Sequence, residues 1–180
     1  IIQEFFFAQM KALSPWDLFS EINYIEPSLI RTEADELTYH YHIMIRYELE
    51  KKLINNELKV SEVAEYWNAM YKQYLKLDVP NDAEGCLQDV HWSFGGMGYF
   101  PTYSLGSFYA AQWYLEMNKN QGLNDLITQK KFSQINDWHS VHIHQYGALY
   151  NSDELCLKAT GKSLDFSCFE QYISEKYLFG

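Results

Sequence analysis

Basic residues are scarce in this sequence. Fourteen lysines and arginines stand against 24 acidic residues, for a formal net charge of −10. The longest basic runs are the pairs Lys51-Lys52 and Lys130-Lys131, which argues against binding a nucleic-acid backbone. Long apolar runs are missing too. Phe5-Phe6-Phe7-Ala8 is far too short to cross a membrane, and it lacks the basic flank and cleavage site of a signal peptide. Cysteine is represented by Cys86, Cys156 and Cys168 alone, an odd and widely spaced set without a CxxC pair. That pattern supports neither a disulfide framework nor a cysteine zinc site, and it suits a reducing, cytoplasmic setting. No HExxH, GxSxG, Walker loop or Gly-rich dinucleotide fingerprint occurs, and Gly95-Gly96-Met97-Gly98 fits none of them. The chain opens on Ile1-Ile2 rather than methionine, so an upstream portion is expected to have been removed.

What the sequence does have is apolar mass. Apolar residues make up 47% and aromatics 17%, which argues against disorder and for large rings lining an interior or a cleft. With 180 residues, the chain is read as a single helical segment over 1–180. Ser14-Pro15-Trp16-Asp17 is a helix start with a capping box and proline at the first turn, and that helix should end near Tyr24. Thr32-Glu33-Ala34-Asp35 repeats the capping pattern and opens the longest expected helix, Glu33 to Asn55. Leu37, Tyr41, Ile45, Leu49 and Leu53 recur every fourth residue there, with Tyr39, Ile43 and Tyr47 as a second row. The helix is therefore expected to be buried nearly all round at first and solvated at Glu48-Glu50-Lys51-Lys52.

Ser61 caps the next expected helix, whose inner face holds Val63, Ala64, Trp67, Met70, Tyr71 and Tyr74, and which ends before Pro80. A helix from Pro101 to about Asn118 and a loop over 118–124 follow. Shorter helices are expected at Leu123–Lys131, Ile135–Tyr146, Asp153–Thr160 and Phe166–Tyr177, with Gly147 and Gly161 as C-terminal caps. No β-hairpin is legible, so the fold class is all-α.

Two stretches carry candidate chemistry. In Ile30-Arg31-Thr32-Glu33-Ala34-Asp35 the acids suit the positive end of a helix dipole, and Arg31 is left over as a bidentate grip for a carboxylate. From Gly85 to Gly106 the chain packs Gln88, Asp89 and His91 among Trp92, Phe94, Tyr99, Phe100 and Tyr103 around a glycine-rich turn. Backbone freedom beside proton-donating side chains is what a substrate-facing loop needs, although a turn before a helix can look the same. His139 and His142 share a helical face near Asp137, but His144 falls elsewhere, and a core-edge cluster explains them better than a metal site. His40 and His42 are read as packing residues.

Ile30-Arg31-Thr32-Glu33-Ala34-Asp35 and Gly85-Cys86-Leu87-Gln88-Asp89-Val90-His91-Trp92 resemble, in order and spacing, the last two motifs of the carboxypeptidase Taq family of metallocarboxypeptidases. Gly98-Tyr99-Phe100-Pro101-Thr102-Tyr103, and Ile143-His144 with Gly147, are similar as well. The resemblance runs from about Pro27 to Tyr177.

It implies the helical half of a zincin-like, thimet-peptidase-like fold with at most a minor β element. It further implies a zinc enzyme that frees single amino acids from peptides with a free C-terminus, and a homodimer. The family's HExxH helix and downstream glutamate lie ahead of the Ile-Arg motif, so this chain is expected to be the C-terminal part. The zinc ligands, and the N-terminal half that is its partner, would then lie outside it. Within the chain the resemblance assigns the substrate carboxylate to Arg31 and oxyanion donation to His91, Tyr99 and Tyr103. Gln88 and Asp89 become orienting residues, and none of these is a metal ligand. The competing reading is a non-catalytic, acidic helical interaction module. An HExxH upstream would discriminate the two.

Overall fold

A computed structural model describes residues 2–178. Among them no strand occurs, and the expected all-α class holds. The chain, read from sequence as one segment, divides into two compact units, 1–100 and 101–180.

The first unit begins with two short helices, α1 (Ile2–Phe5) and α2 (Phe7–Met10), and then α3 (Pro15–Ile22). The Ser14 box forms as its sequence dictates: Ser14 Oγ accepts from Asp17 N–H, and Asp17 accepts from Ser14 N–H at 2.7 Å. Past Pro27, Arg31–Glu33 make one 3-10 turn, and the long helix α4 starts only at Tyr39 and runs to Ile54. The expected start at Glu33 is thus corrected. Ala34 is extended, and the capping is done by Asp35, whose carboxylate accepts from the amides of Leu37 and Thr38 and from Thr38 Oγ1.

A second correction concerns which face of α4 is buried. Tyr41 and Tyr47 are 41% and 44% exposed, whereas His42, Arg46 and Glu50 are at most 3% exposed. Glu50, expected in solvent, is inside. The apolar residues Ile45 and Leu49 pack on α5 (Val63–Tyr74) through Trp67, Met70, Tyr71 and Leu75, with Cys86 closing the cluster. Burying the leucine and isoleucine side chains stabilises this contact by roughly 1.5–3 kcal/mol each. A 3-10 turn at Val60–Glu62 leads into α5. Its entry is closed by Glu62, which accepts from Lys59 N–H, rather than by the expected Ser61 cap.

The second unit is built on α6 (Pro101–Gln121), longer than expected by the turn that Gly122, at φ +60°, finally ends. Against it pack α7 (Leu123–Thr128), α9 (Ser152–Thr160) and α10 (Ser167–Tyr177), while α8 (Phe132–His142) packs on α7. The helix expected over 135–146 stops at His142, and His144–Tyr146 form a 3-10 turn. Gly161 caps α9 at φ +77°, its N–H reaching Leu157 O. Met117, Leu123 and Trp138 form one small core, and Phe108 meets Phe166 and Phe169 edge-on or tilted in another. Buried Gln112 joins α6 to the loop before α10, accepting from Asp165 N–H and donating to Thr160 and Ser163.

Candidate functional site

The chemistry collects in the first unit, where α4 presents a polar stripe at four-residue intervals. His42, Arg46 and Glu50 share one face of the helix, and all three are buried. Such a face is unfavourable alone, because a charge taken from water must be paired. The partners come from about forty residues further along the chain.

Asp89 is the centre. Its Oδ2 accepts from Arg46 Nε at 2.7 Å and lies 2.6 Å from Arg46 Nη2. Its Oδ1 accepts from Arg31 Nε at 3.0 Å and Nη2 at 2.8 Å. Gln88 bridges the same two arginines through Oε1, which accepts from Arg31 N–H and Arg46 Nη2, both at 2.9 Å. Gln88 is held in turn by donating to Leu29 O and Glu84 O. Burial pushes the Asp89 carboxyl up, but Arg46 and Arg31 outweigh it and hold the group below the usual carboxylate range. Two guanidiniums on one carboxylate leave this cluster one net positive charge.

Rings wall the cluster. Arg46 lies over Trp67 at 4.5 Å and Phe100 at 5.3 Å, and Arg31 lies over Phe100 at 5.8 Å. Phe100 has no exposed surface and packs against His91 at 4.4 Å between ring centroids. His91 also stacks on Tyr99 at 5.7 Å. Arg31, Gln88, Asp89, His91 and Tyr99 are thus drawn to one wall. Tyr103 stands in the other unit, half-buried in the first turn of α6. An apolar cavity of about 850 Å3 opens beside the same loop, lined in part by Leu53, Cys86, Leu87, Trp92 and Met97. Neither Arg31 nor His91 is among its lining residues, so it is a neighbour of the charged cluster rather than its floor.

His42 supports the stripe from behind. Its Nδ1 lies 2.9 Å from Tyr71 Oη, and that hydroxyl also donates to Leu29 O. Burial, with Arg46 and Arg31 next to it, pushes the imidazole down to about 4, so it is neutral at physiological pH. Two histidines of the second unit make bonds local to their own helix. His139 Nδ1 pairs with Ile135 O and His142 Nδ1 with Trp138 O on α8, each within its own helix. Among the described residues no group of three or more His, Cys, Asp or Glu is arranged to hold a metal ion.

Sequence reasoning missed Arg46 and Glu50. The only available signal was their spacing from His42, which places three polar side chains on one line of a helix that otherwise had to be buried.

The class of protein that the comparisons give is metallopeptidase. Residues 1–177 match the family described as carboxypeptidase Taq (M32) metallopeptidase, and the chain belongs to that family. Carboxypeptidase 1 of Bacillus subtilis is 41% identical over 98% of the chain. The solved structure of CHT is 48% identical over 99% of the chain with a TM-score of 0.96. The M32 carboxypeptidase of Deinococcus radiodurans is 36% identical over 97% with a TM-score of 0.92. The chain spans only about a third of these relatives, 35% of the B. subtilis protein and 36% of each of the two structures.

Proposed function

We propose that this chain is the C-terminal part of a zinc metallocarboxypeptidase and supplies the wall that receives the substrate's free carboxylate. The observation that carries the reading is the net positive charge of the Arg31–Asp89–Arg46 cluster, buried beside His91 and Tyr99. A cation fixed in a ring-lined recess is attractive to a carboxylate and indifferent to an amide. Arg31 is the residue assigned to that contact. Asp89 and Gln88 hold its head and backbone in place rather than touching substrate. His91, Tyr99 and Tyr103 are the donors assigned to the oxyanion that forms when the last peptide bond is attacked. Zinc, which supplies an activated water in this class of enzyme, is held by residues outside the chain, in the N-terminal half that is its partner. Alone, the chain neither retains zinc nor turns over peptide. Its three thiols are free, which supports a reducing, cytoplasmic setting, and homodimerisation belongs to the same reading.

The full-length protein with Arg31→Ala tests it. Zinc content should be unchanged while kcat/KM on a peptide with a free C-terminus falls about 30-fold or more, the loss of about 2 kcal/mol of charged contact. The preference for the free acid over the C-terminal amide of the same peptide should collapse in step. Undiminished turnover with the preference intact would remove Arg31 from the role.

A further inference from the structure

The mechanism above leaves one buried charge unused, and its geometry joins the helix to the loop. Glu50 is 3% exposed at the end of the polar stripe on α4. Its Oε1 accepts from the indole Nε1–H of Trp92 at 2.7 Å, and its Oε2 accepts from the backbone N–H of Gly98 at 2.9 Å. Trp92 directly follows His91, and Gly98 directly precedes Tyr99. One carboxylate thus ties the two ends of the loop Trp92–Gly98 to the same point on a rigid helix.

The loop between them depends on glycine. Gly95 and Gly98 sit at φ +77° and +79°, in the left-handed region that other residues rarely adopt. At Gly96 a Cβ would come within 2.7 Å of the Phe94 ring and 3.0 Å of His91 O. The loop bonds within itself, Gly96 N–H to His91 O at 2.8 Å and Gly95 N–H to Trp92 O at 3.2 Å, and the two bonds to Glu50 tie it to α4.

We propose that Glu50 is the positioning residue that fixes His91 against Tyr99, and hence sets the spacing of the two donors on this wall. The assignment rests on the proposed oxyanion role of those donors, whereas the pinning of the loop stands independently of it. The two rings stack at 5.7 Å, and the residues bearing them are the chain neighbours of the two pinned groups. Glu50 touches no substrate. It acts through the loop, as Asp89 acts through Arg31.

The test uses the full-length protein with Glu50→Gln, which keeps side-chain volume but turns an amide donor toward one of two existing donors. Trp92→Phe is a second, milder variant that removes one bond and keeps a ring. Hydrogen exchange reads the pin directly. The Gly98 amide should exchange roughly tenfold faster or more in Glu50→Gln, while α4 and α5 amides keep their protection. Turnover reads the consequence. kcat should fall roughly tenfold while KM changes less than about twofold, because binding of the carboxylate is untouched. Trp92→Phe should show a smaller loss of the same kind.

Unchanged Gly98 exchange in Glu50→Gln, or protection lost evenly across α4 and α5, overturns the pin. Faster local exchange with unchanged kcat overturns the positioning role. His91→Gln and Tyr99→Phe separate this from the underlying reading. If both retain full turnover while Glu50→Gln loses it, the donor assignment falls and the pin acts on something else in the loop.

Discussion

Replacing Asp89 with asparagine removes a single charge and almost no volume, and it strands two. Arg46 has no exposed surface on its side chain and Arg31 has 10%, so neither guanidinium can recover its hydration without the unit opening. The amide oxygen of asparagine can still accept from one arginine, but its NH2 group then faces the other. Removing one partner of a buried ion pair costs about 3–5 kcal/mol, and the figure here should sit at the upper end because the lost anion serves two cations. With a urea m-value of about 2 kcal/mol/M, the unfolding midpoint should fall by roughly 1.5–2.5 M. The assay is urea titration at pH 7, followed by near-ultraviolet circular dichroism.

Acid titration sharpens this test. The Asp89 carboxyl is depressed in the fold, so its contribution is present above the unfolded value near 3.9 and is lost as pH falls through the lower folded value. Wild type and Asp89→Asn should therefore differ most at neutral pH and converge in strong acid. A midpoint shift under about 0.5 M at pH 7 would refute the claim that this carboxylate is what makes the two arginines tolerable inside.

Two further outcomes follow from the same interior. His42, pushed down to about 4, is neutral in the fold while the unfolded chain binds a proton below about 6.5. Stability should then fall with pH across that window by up to about 3 kcal/mol, and His42→Gln should flatten the slope in urea titrations between pH 6.5 and 4.5. Leu49, with no exposed surface between α4 and α5, should lose about 2–5 kcal/mol as Leu49→Ala, read as a lowered midpoint without a change in m.

Local rules made much of this fold legible. The Ser14 box, the capping glycine Gly161 and the one-sided face of α5 obey chemistry confined to a few neighbouring residues, and the helices appear where that chemistry puts them. The failures on the buried face of α4 share a cause. Periodicity sorts residues by polarity, and on α4 the fold sorts them by partner. Tyr41 and Tyr47 go outward while Arg46 and Glu50 go inward, because the groups that bond to the latter lie at 88–98, beyond any local window. The start of α4 has a local cause instead: Ala34 is extended, and Asp35 takes the amides of Leu37 and Thr38. Arg31, Gln88 and Asp89 were legible as candidates from their motifs, but their mutual bonding was not. Only the long-range contact shows that Asp89 serves Arg31 and Arg46 at once.

The shared carboxylate also has a consequence for how this protein can change over generations. An exposed ion pair can be lost by two substitutions whose intermediate is merely weakened. A triad around one anion offers no such path, since deleting the acid orphans two bases and deleting either base alters the charge that the other presents. Arg31, Arg46 and Asp89 therefore form one heritable unit, and a lineage that departs from it must cross a step in which the protein is poorly folded or carries an unbalanced charge in its interior.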